Sequence, residues 1–196
     1  NAVELSAEKD WDLHRLRVSL FHDDVRDAIL RQSDNTVTPS VTRVSNVDRV
    51  KTSGLELVWQ TQDWLLRGLS LDANAAFANS KVTANAADPA SVGKYWLRVP
   101  KVRANLLAAY RPNSEWMGSL GIRHSGRAYN DTYNLDIHPD VYGGVSSFTF
   151  VDLRGSVKLA PKLELALGVD NVADSRGYQA HPYPGRTFFT ELRASY

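Results

Sequence analysis

The sequence predicts an all-β chain forming an antiparallel transmembrane β-barrel wall, and three observations predict it. Stretches of about ten residues alternate apolar and polar side chains, the period of a strand whose two faces meet different surroundings. The connections between those stretches are alternately short and long. The last stretch, residues 186–196, reads RTFFTELRASY and ends on an aromatic. In it Phe188, Thr190, Leu192, Ala194 and Tyr196 share one parity and are apolar or weakly polar. Thr187, Glu191, Arg193 and Ser195 share the other, and Phe189 is the one exception. A closing strand with lipid outside, water inside and an aromatic at the membrane surface has this pattern.

About nine segments carry the alternation. A short piece at residues 3–7 comes first, then residues 13–31. The pattern weakens in residues 41–59, where Asn46, Asp48 and Arg49 suit a strand rising out of a membrane. It is clean in residues 68–82, through Leu69, Leu71, Ala73, Ala75 and Phe77. It is equally clean in residues 99–110, through Ala104, Leu106, Ala108 and Tyr110. Residues 116–129 follow. In residues 147–159 an apolar row (Val151, Leu153, Val157, Leu159) opposes a polar one (Asp152, Arg154, Ser156, Lys158). In residues 163–171 Leu163, Leu165, Leu167 and Val169 oppose Glu164, Ala166, Gly168 and Asp170. Ala160-Pro161-Lys162 joins these last two as a tight turn with Pro as its breaker. Residues 186–196 complete the set.

The short connections are residues 9–12, 60–67, 111–115 and 160–162. The long ones are residues 32–40, 83–98, 130–146 and 172–185. Short turns on one side and long loops on the other is the outer-membrane arrangement. If Tyr196 lies at the periplasmic side, parity puts every short turn there and every long loop outside. Trp11, Trp64 and Trp116 sit in or beside the short turns, where an interfacial aromatic belt belongs.

Composition narrows the function classes. The 196 residues carry a formal net charge of +1, which argues against a nucleic-acid binder with its basic face. With no Cys, disulfide, thiolate-metal and Cys-nucleophile readings fall away. No run approaches the ~18–20 apolar residues of a spanning helix. The first eight residues lack the basic start and apolar core of a signal peptide, so a mature chain or a fragment is expected. Ser, His and Asp fall into no nucleophile-elbow pattern, and no enzyme is expected. His124, His138 and His181 form no H-x-H or H-x₃-H pair, so neither a metal centre nor a cofactor is expected.

Four local patterns carry a family resemblance. They are Gly54-Leu55-Glu56 within RVKTSGLELVW, Leu97-Arg98-Val99-Pro100, Val169-Asp170-Asn171-Val172-Ala173-Asp174, and Pro184-Gly185-Arg186-Thr187 leading to Tyr196. In this order and spacing the chain resembles the C-terminal half of a TonB-dependent outer-membrane receptor. The resemblance implies that residues 1–196 are the C-terminal part of a 22-stranded barrel, the plug domain and N-terminal strands being absent. An open set of nine strands leaves two unpaired edges in lipid, so partner strands are expected elsewhere. Gly54, Glu56, Asn171, Asp174, Pro184, Gly185, Arg186 and Tyr196 are its motif residues.

The resemblance further implies a Gram-negative outer-membrane location and TonB-dependent uptake of a small-molecule metal chelate, a ferric siderophore leading. The partners it implies are the rest of the receptor, the TonB complex through the missing N-terminal part, and outer-membrane lipid. A passive porin-like channel, or a structural barrel without active transport, is the alternative; a plug-like domain upstream would tell against the channel, and a structural barrel would show short outer loops, whereas residues 130–146 are long. The long loops are rich in Tyr, Trp, His and Arg, which give rigid contact surface and hydrogen-bond donors. Tyr129, Tyr133, His138, Tyr142, His181, Tyr183 and Arg186 are the candidate ligand-binding residues. Charges of both signs (Arg103, Arg123, Asp152, Arg154, Lys158, Glu164, Asp170, Glu191, Arg193) are expected to line the interior and to pair across the strands.

Overall fold

The computed structural model describes residues 1–34 and 38–195. They form one antiparallel sheet of nine strands, each beside its neighbour in sequence. These are β1 (Ala2–Trp11), β2 (His14–Asp34), β3 (Val41–Gln62), β4 (Leu69–Ala84), β5 (Val102–Tyr110), β6 (Trp116–Ser125), β7 (Phe148–Ala160) and β8 (Leu163–Asp170), with β11 (Thr187–Ala194) closing the order. A two-residue pair, β9 (Tyr178–Gln179) with β10 (His181–Pro182), lies in the connection before β11. The only helical element among the described residues is the 3-10 turn Pro89–Ser91. The described sheet is an open wall with β1 and β11 at its edges.

Register turns the alternation of each strand into continuous rows. On one face Leu5, Leu20, Leu55, Phe77 and Val102 lie side by side across five strands. Lower on the same face run Leu71, Ala108, Leu120, Leu153, Val169 and Phe188. Trp116, Val157, Leu165 and Leu192 follow. None of these side chains is buried: Leu153 is 45% and Leu192 64% exposed, and on the same face Leu167 is 54% exposed while Leu106, Val151, Leu163 and Leu165 are half-buried. A soluble barrel buries such leucines. Trp11, Trp64 and Trp116 are likewise exposed, at the end of the short turns.

The buried apolar residues gather at the opposite end. They are Val47, Val50, Val82, Ala128, Val145 and Phe150. Asp27, at φ +53°, interrupts the alternation of β2, and beyond it Ala28 and Leu30, together with Trp96, pack onto Val47, Val50 and Val82. β2 and β3, with 21 and 22 residues, are about twice the ~9–11 residues that span a bilayer. Their outer halves therefore stand clear of the sheet's apolar band, which ends at Leu20 and Leu55.

Some boundaries differ from the sequence reading. β1 continues to Trp11 rather than stopping at Ala7, so the first turn is residues 12–13. Lys9 sits in the apolar row there, its ammonium 5.9 Å from the Trp11 ring. A long lysine near a strand end keeps its charge in water while its stem stays on apolar surface. β6 ends at Ser125, not Tyr129: Gly126 N–H still donates to Val102, then Ala128 turns to Val145 of the next loop. β5 begins at Val102, because residues 97–101 belong to the preceding connection. Tyr196, and residues 35–37 of the first long connection, lie outside the described residues.

Candidate functional site at the mouth of the wall

The second face of the sheet is polar, and its charges pair across strands. Arg15 donates to Glu8 at 2.7 Å, Arg17 to Glu4 at 3.2 Å and Arg154 to Asp170 at 2.7 Å. Arg123 donates to Asp152 through Nε at 3.0 Å, while Arg193 bonds Glu191 along its own strand at 2.9 Å. Gln60 with Asp72, at 2.7 Å, and Asn105 with Asn74, at 2.9 Å, add neutral bonds. Two glycines on this face accept aromatic rings. Phe21 covers Gly54, and Phe189 covers Gly168 while Arg154 lies 4.4 Å above its ring. Phe189, the exception to parity in the sequence, thus fills the space that Gly168 leaves.

At the outer end, three long connections join into one platform. Asn134 grips the backbone of Tyr95: its Oδ1 accepts from Tyr95 N at 2.7 Å and its Nδ2 donates to Tyr95 O at 3.1 Å. Arg98 N donates to Tyr129 O at 2.9 Å, and Arg98 Nε donates to Asn130 Oδ1 at 2.7 Å. The last connection is zipped to the same loop. Gly143 N donates to Ala180 O at 2.8 Å, Ala180 N to Gly144 O at 2.9 Å and Ser146 N to Tyr178 O at 3.0 Å. Arg98 holds φ +61°, an uncommon conformation for a bulky side chain that its two anchors maintain.

The motif residues close the last connection from below. Asn171, 3% exposed and at φ +52°, receives Ser175 N–H on Oδ1 at 2.9 Å and donates through Nδ2 to Ser175 O at 2.9 Å. Its own N–H donates to Asp152 Oδ1 at 2.9 Å. Asp174 Oδ1 accepts the N–H of Arg186 at 2.8 Å, which sets the chain on course for β11. Asn and Asp tolerate the left-handed conformation that such turns need.

Beneath the platform, on the polar face, an aromatic plate stands beside a basic recess. Phe148 stacks on Phe150 at 4.5 Å, and Tyr183 packs on them at 4.9 Å and 5.4 Å. The recess, about 280 Å³, is lined by Arg98, Arg103, Arg123, Phe148, Gln179 and Tyr183 among others. Tyr183 donates to Gln179 at 2.7 Å. This arrangement carries no nucleophile–base pair; it offers cations, ring faces and hydrogen-bond donors to a solute.

Of the seven candidate ligand residues, Tyr183 stands in the aromatic plate and the other six lie on or beside the connections above it. Tyr142, 73% exposed, meets His181 edge-on at 5.6 Å, bringing two connections together. Tyr129 stacks on Tyr95 at 5.9 Å, and the Arg127 guanidinium lies 5.0 Å from its ring. The ammonium groups of Lys101 and Lys81 lie 4.2 Å and 5.0 Å from the Tyr95 ring, and the hydrogen bond and charge of Lys101 hold its phenol below the usual value. Tyr133 is raised by the neighbouring charge of Asp88, which it also hydrogen-bonds across two connections. His138 and the side chain of Arg186 are exposed. His124 is held by Thr149 at 2.9 Å on the apolar face, apart from the other histidines. Among the described residues no group of three or more His, Asp or Glu is arranged to hold a metal.

The sequence reading did not find the aromatic plate or the recess. The alternation Phe148-Thr149-Phe150 was the available signal, since it puts two aromatics in a row that continues with Asp152 and Arg154.

An antiparallel wall with one bare apolar face, one charged face, short turns at one end and interlocked loops at the other defines part of an outer-membrane barrel. A family model described as "TonB dependent receptor-like, beta-barrel" matches residues 1–172, and the chain belongs to that family. Such receptors are outer-membrane proteins of Gram-negative bacteria and not enzymes. The apolar face is therefore the lipid face and the polar face lines the interior. No curated protein matches the chain.

Among solved structures, the siderophore receptor PiuA from Acinetobacter baumannii is 19% identical, with a TM-score of 0.80 over 100% of this chain and 28% of that one. The copper transporter OprC is 21% identical, with a TM-score of 0.74 over 100% and 30%. The ferric yersiniabactin uptake receptor FyuA from Yersinia pestis is 19% identical, with a TM-score of 0.77 over 98% and 29%. At these identities the likeness is one of fold. The chain spans less than a third of the length of these structures.

Proposed function

We propose that this chain is the C-terminal part of the barrel of a receptor that takes up a metal chelate, a ferric siderophore first among them, driven through TonB. The observation that carries the proposal is the interlocked outer platform over a basic, aromatic recess on the inner face. Loops that only fill space do not need three connections bonded to one another, and a long connection is usually functional. In this reading Tyr129, Tyr133, His138, Tyr142, His181, Tyr183 and Arg186 form the ligand-facing surface, and the recess receives the solute below it. Residues 1–196 form a wall whose remaining strands and plug belong to the rest of the receptor. That plug also supplies the contact with TonB. The chain contributes recognition and passage, with no bond made or broken.

The fold neighbours named as a siderophore receptor and a yersiniabactin uptake receptor support an iron chelate as the cargo. The neighbour named as a copper transporter keeps other metals within reach of the same scaffold. Uptake of radiolabelled ferric chelates by cells producing the complete receptor tests the proposal. Accumulation is expected with an active TonB complex and is lost without it. Equal accumulation in both backgrounds would mean a passive channel.

A further inference from the structure

Arginines on the interior face of the wall follow a rule. Arg15, Arg17, Arg123, Arg154 and Arg193 each have a carboxylate within 4 Å. Arg103 has none among the described residues, although it occupies the same face. Its row across the sheet reads Ser19, Glu56, Ala76, Arg103, Ser125 and Phe148. The carboxylate in that row, Glu56, is two strands away, about 10 Å at ordinary strand spacing. Ala76 lies between them and leaves the gap open.

On its other side Arg103 opens into the recess shared with Arg98, Arg123 and the Phe148–Tyr183 plate. Arg98 is bonded to the neutral amide of Asn130, so its charge too is uncompensated by any carboxylate among the described residues. Two guanidinium groups therefore face one recess with their charge unspent. Guanidinium groups bind carboxylates and other oxyanions through paired N–H donors, and an aromatic plate alongside accepts a flat ring.

We propose that Arg103, with Arg98 in the same recess, forms an anion-binding site on the interior wall that selects negatively charged chelates over neutral ones. The proposal rests on the reading of this chain as part of a chelate receptor and adds which chelates it favours. Arg123 is a poorer candidate, because Asp152 already holds it and Asp152 also holds the backbone of Asn171. Arg103 can be changed without breaking any bond described here.

The test compares the complete receptor with its Arg103→Gln and Arg103→Lys variants. The probes are a multiply anionic ferric tris-catecholate, a neutral ferric tris-hydroxamate and a metal-free tricarboxylate, with binding followed by fluorescence quenching. Arg103→Gln is expected to weaken binding of the anionic probes by about ten-fold and to leave the neutral chelate unchanged. Arg103→Lys, which keeps the charge, is expected to recover part of the loss. Equal losses for anionic and neutral chelates would mean that Arg103 supports the barrel or its plug, and the proposal would be overturned. No change for any probe would overturn it as well. If the unaltered receptor binds the tricarboxylate through Arg103 but takes no chelate, the anion site stands and the chelate-uptake reading fails. If it binds neither kind of anion, the site itself is refuted.

Discussion

Gly168 lies directly opposite Phe189, and the ring occupies the volume that a side chain at Gly168 would fill. A Cβ there would come within 1.8 Å of Phe189 Cε1. Gly54, five strands before Gly168 in the sheet order, repeats the arrangement with Phe21, at 2.3 Å to Phe21 Cζ. In each pair the aromatic shields a glycine that would otherwise leave its backbone bare, a known device for stabilising strand glycines. It also explains why Gly54 belongs to a motif: the space is required by its partner on β2.

Gly168→Val should therefore destabilise the barrel by about 1–3 kcal/mol, the usual cost of overpacking. Phe189→Leu should cost less, since it removes the ring contact with Arg154 without creating a clash. The double variant Gly168→Val/Phe189→Ala should recover part of the loss. Urea unfolding of the complete receptor in lipid vesicles measures all three. Additive losses in the double variant would show that the two residues do not share this space.

The lipid face makes a sharper demand. Leu165 lies in the row with Val157, Trp116 and Leu192, and Glu164 on the other face lies opposite Arg193. Leu165→Arg should destabilise folding into lipid by ~2–4 kcal/mol if it sits near the midplane, and less nearer the interface. Glu164→Gln should matter far less, because the interior is wet. The same folding titrations compare them, and equal effects would mean that the two faces are wrongly assigned.

Those faces were legible in the sequence because each meets one solvent along its whole length. Leu163, Leu165 and Leu167 needed no partner to be read, and neither did the short and long connections. What the sequence could not display depends on register between strands far apart in the chain. The reason for Phe189 is Gly168, and the peculiarity of Arg103 appears only once Arg15, Arg17, Arg123, Arg154 and Arg193 on the same face have found their carboxylates. β1 was read too short because Lys9 breaks its apolar row, and only the neighbouring Trp11 shows how the charge is accommodated. β6 was read too long because Ala128 keeps the apolar parity of Leu120 and Ile122 after the backbone has turned from the sheet to Val145.

Asn171 and Asp174 were recognised as motif residues, and the structure supplies their work. Asn171→Ala removes three side-chain bonds, two with Ser175 and one to Pro184 O, from a buried position and places a residue with a Cβ but no compensating polar group at positive φ. A loss of about 1–3 kcal/mol is expected, felt mainly in residues 171–186. Asp174→Asn keeps an oxygen for the Arg186 N–H and should be close to neutral, whereas Asp174→Ala should loosen the start of β11. Limited proteolysis of the assembled receptor reads this out as cleavage within the last connection. Resistance of Asn171→Ala equal to that of the unaltered receptor would mean that the Asn171 bonds do not hold the last connection.

The outer platform carries the final prediction. Tyr142 and His181 touch edge-on across two connections, and Tyr133 reaches a third through Asp88. His138 is exposed on the same loop as Tyr133 and Tyr142. Arg186 is set apart from these four, because its backbone N–H already serves Asp174. Losing one aromatic or hydrogen-bonding anchor from a binding surface commonly costs ~1–2 kcal/mol, about ten-fold in affinity. Alanine at Tyr142 and His181 together should thus weaken chelate binding by about ten-fold or more while the amount of heat-modifiable barrel stays constant. Tyr133→Phe removes the bond to Asp88 but keeps the ring, so it separates a ligand contact from a loop-holding role. Loss of affinity in Tyr133→Ala but not in Tyr133→Phe would assign the ring to the ligand, and loss in both would assign the hydroxyl. Unchanged uptake and binding with Tyr133, His138, Tyr142 and His181 all replaced would place recognition elsewhere, in the recess below or in the plug.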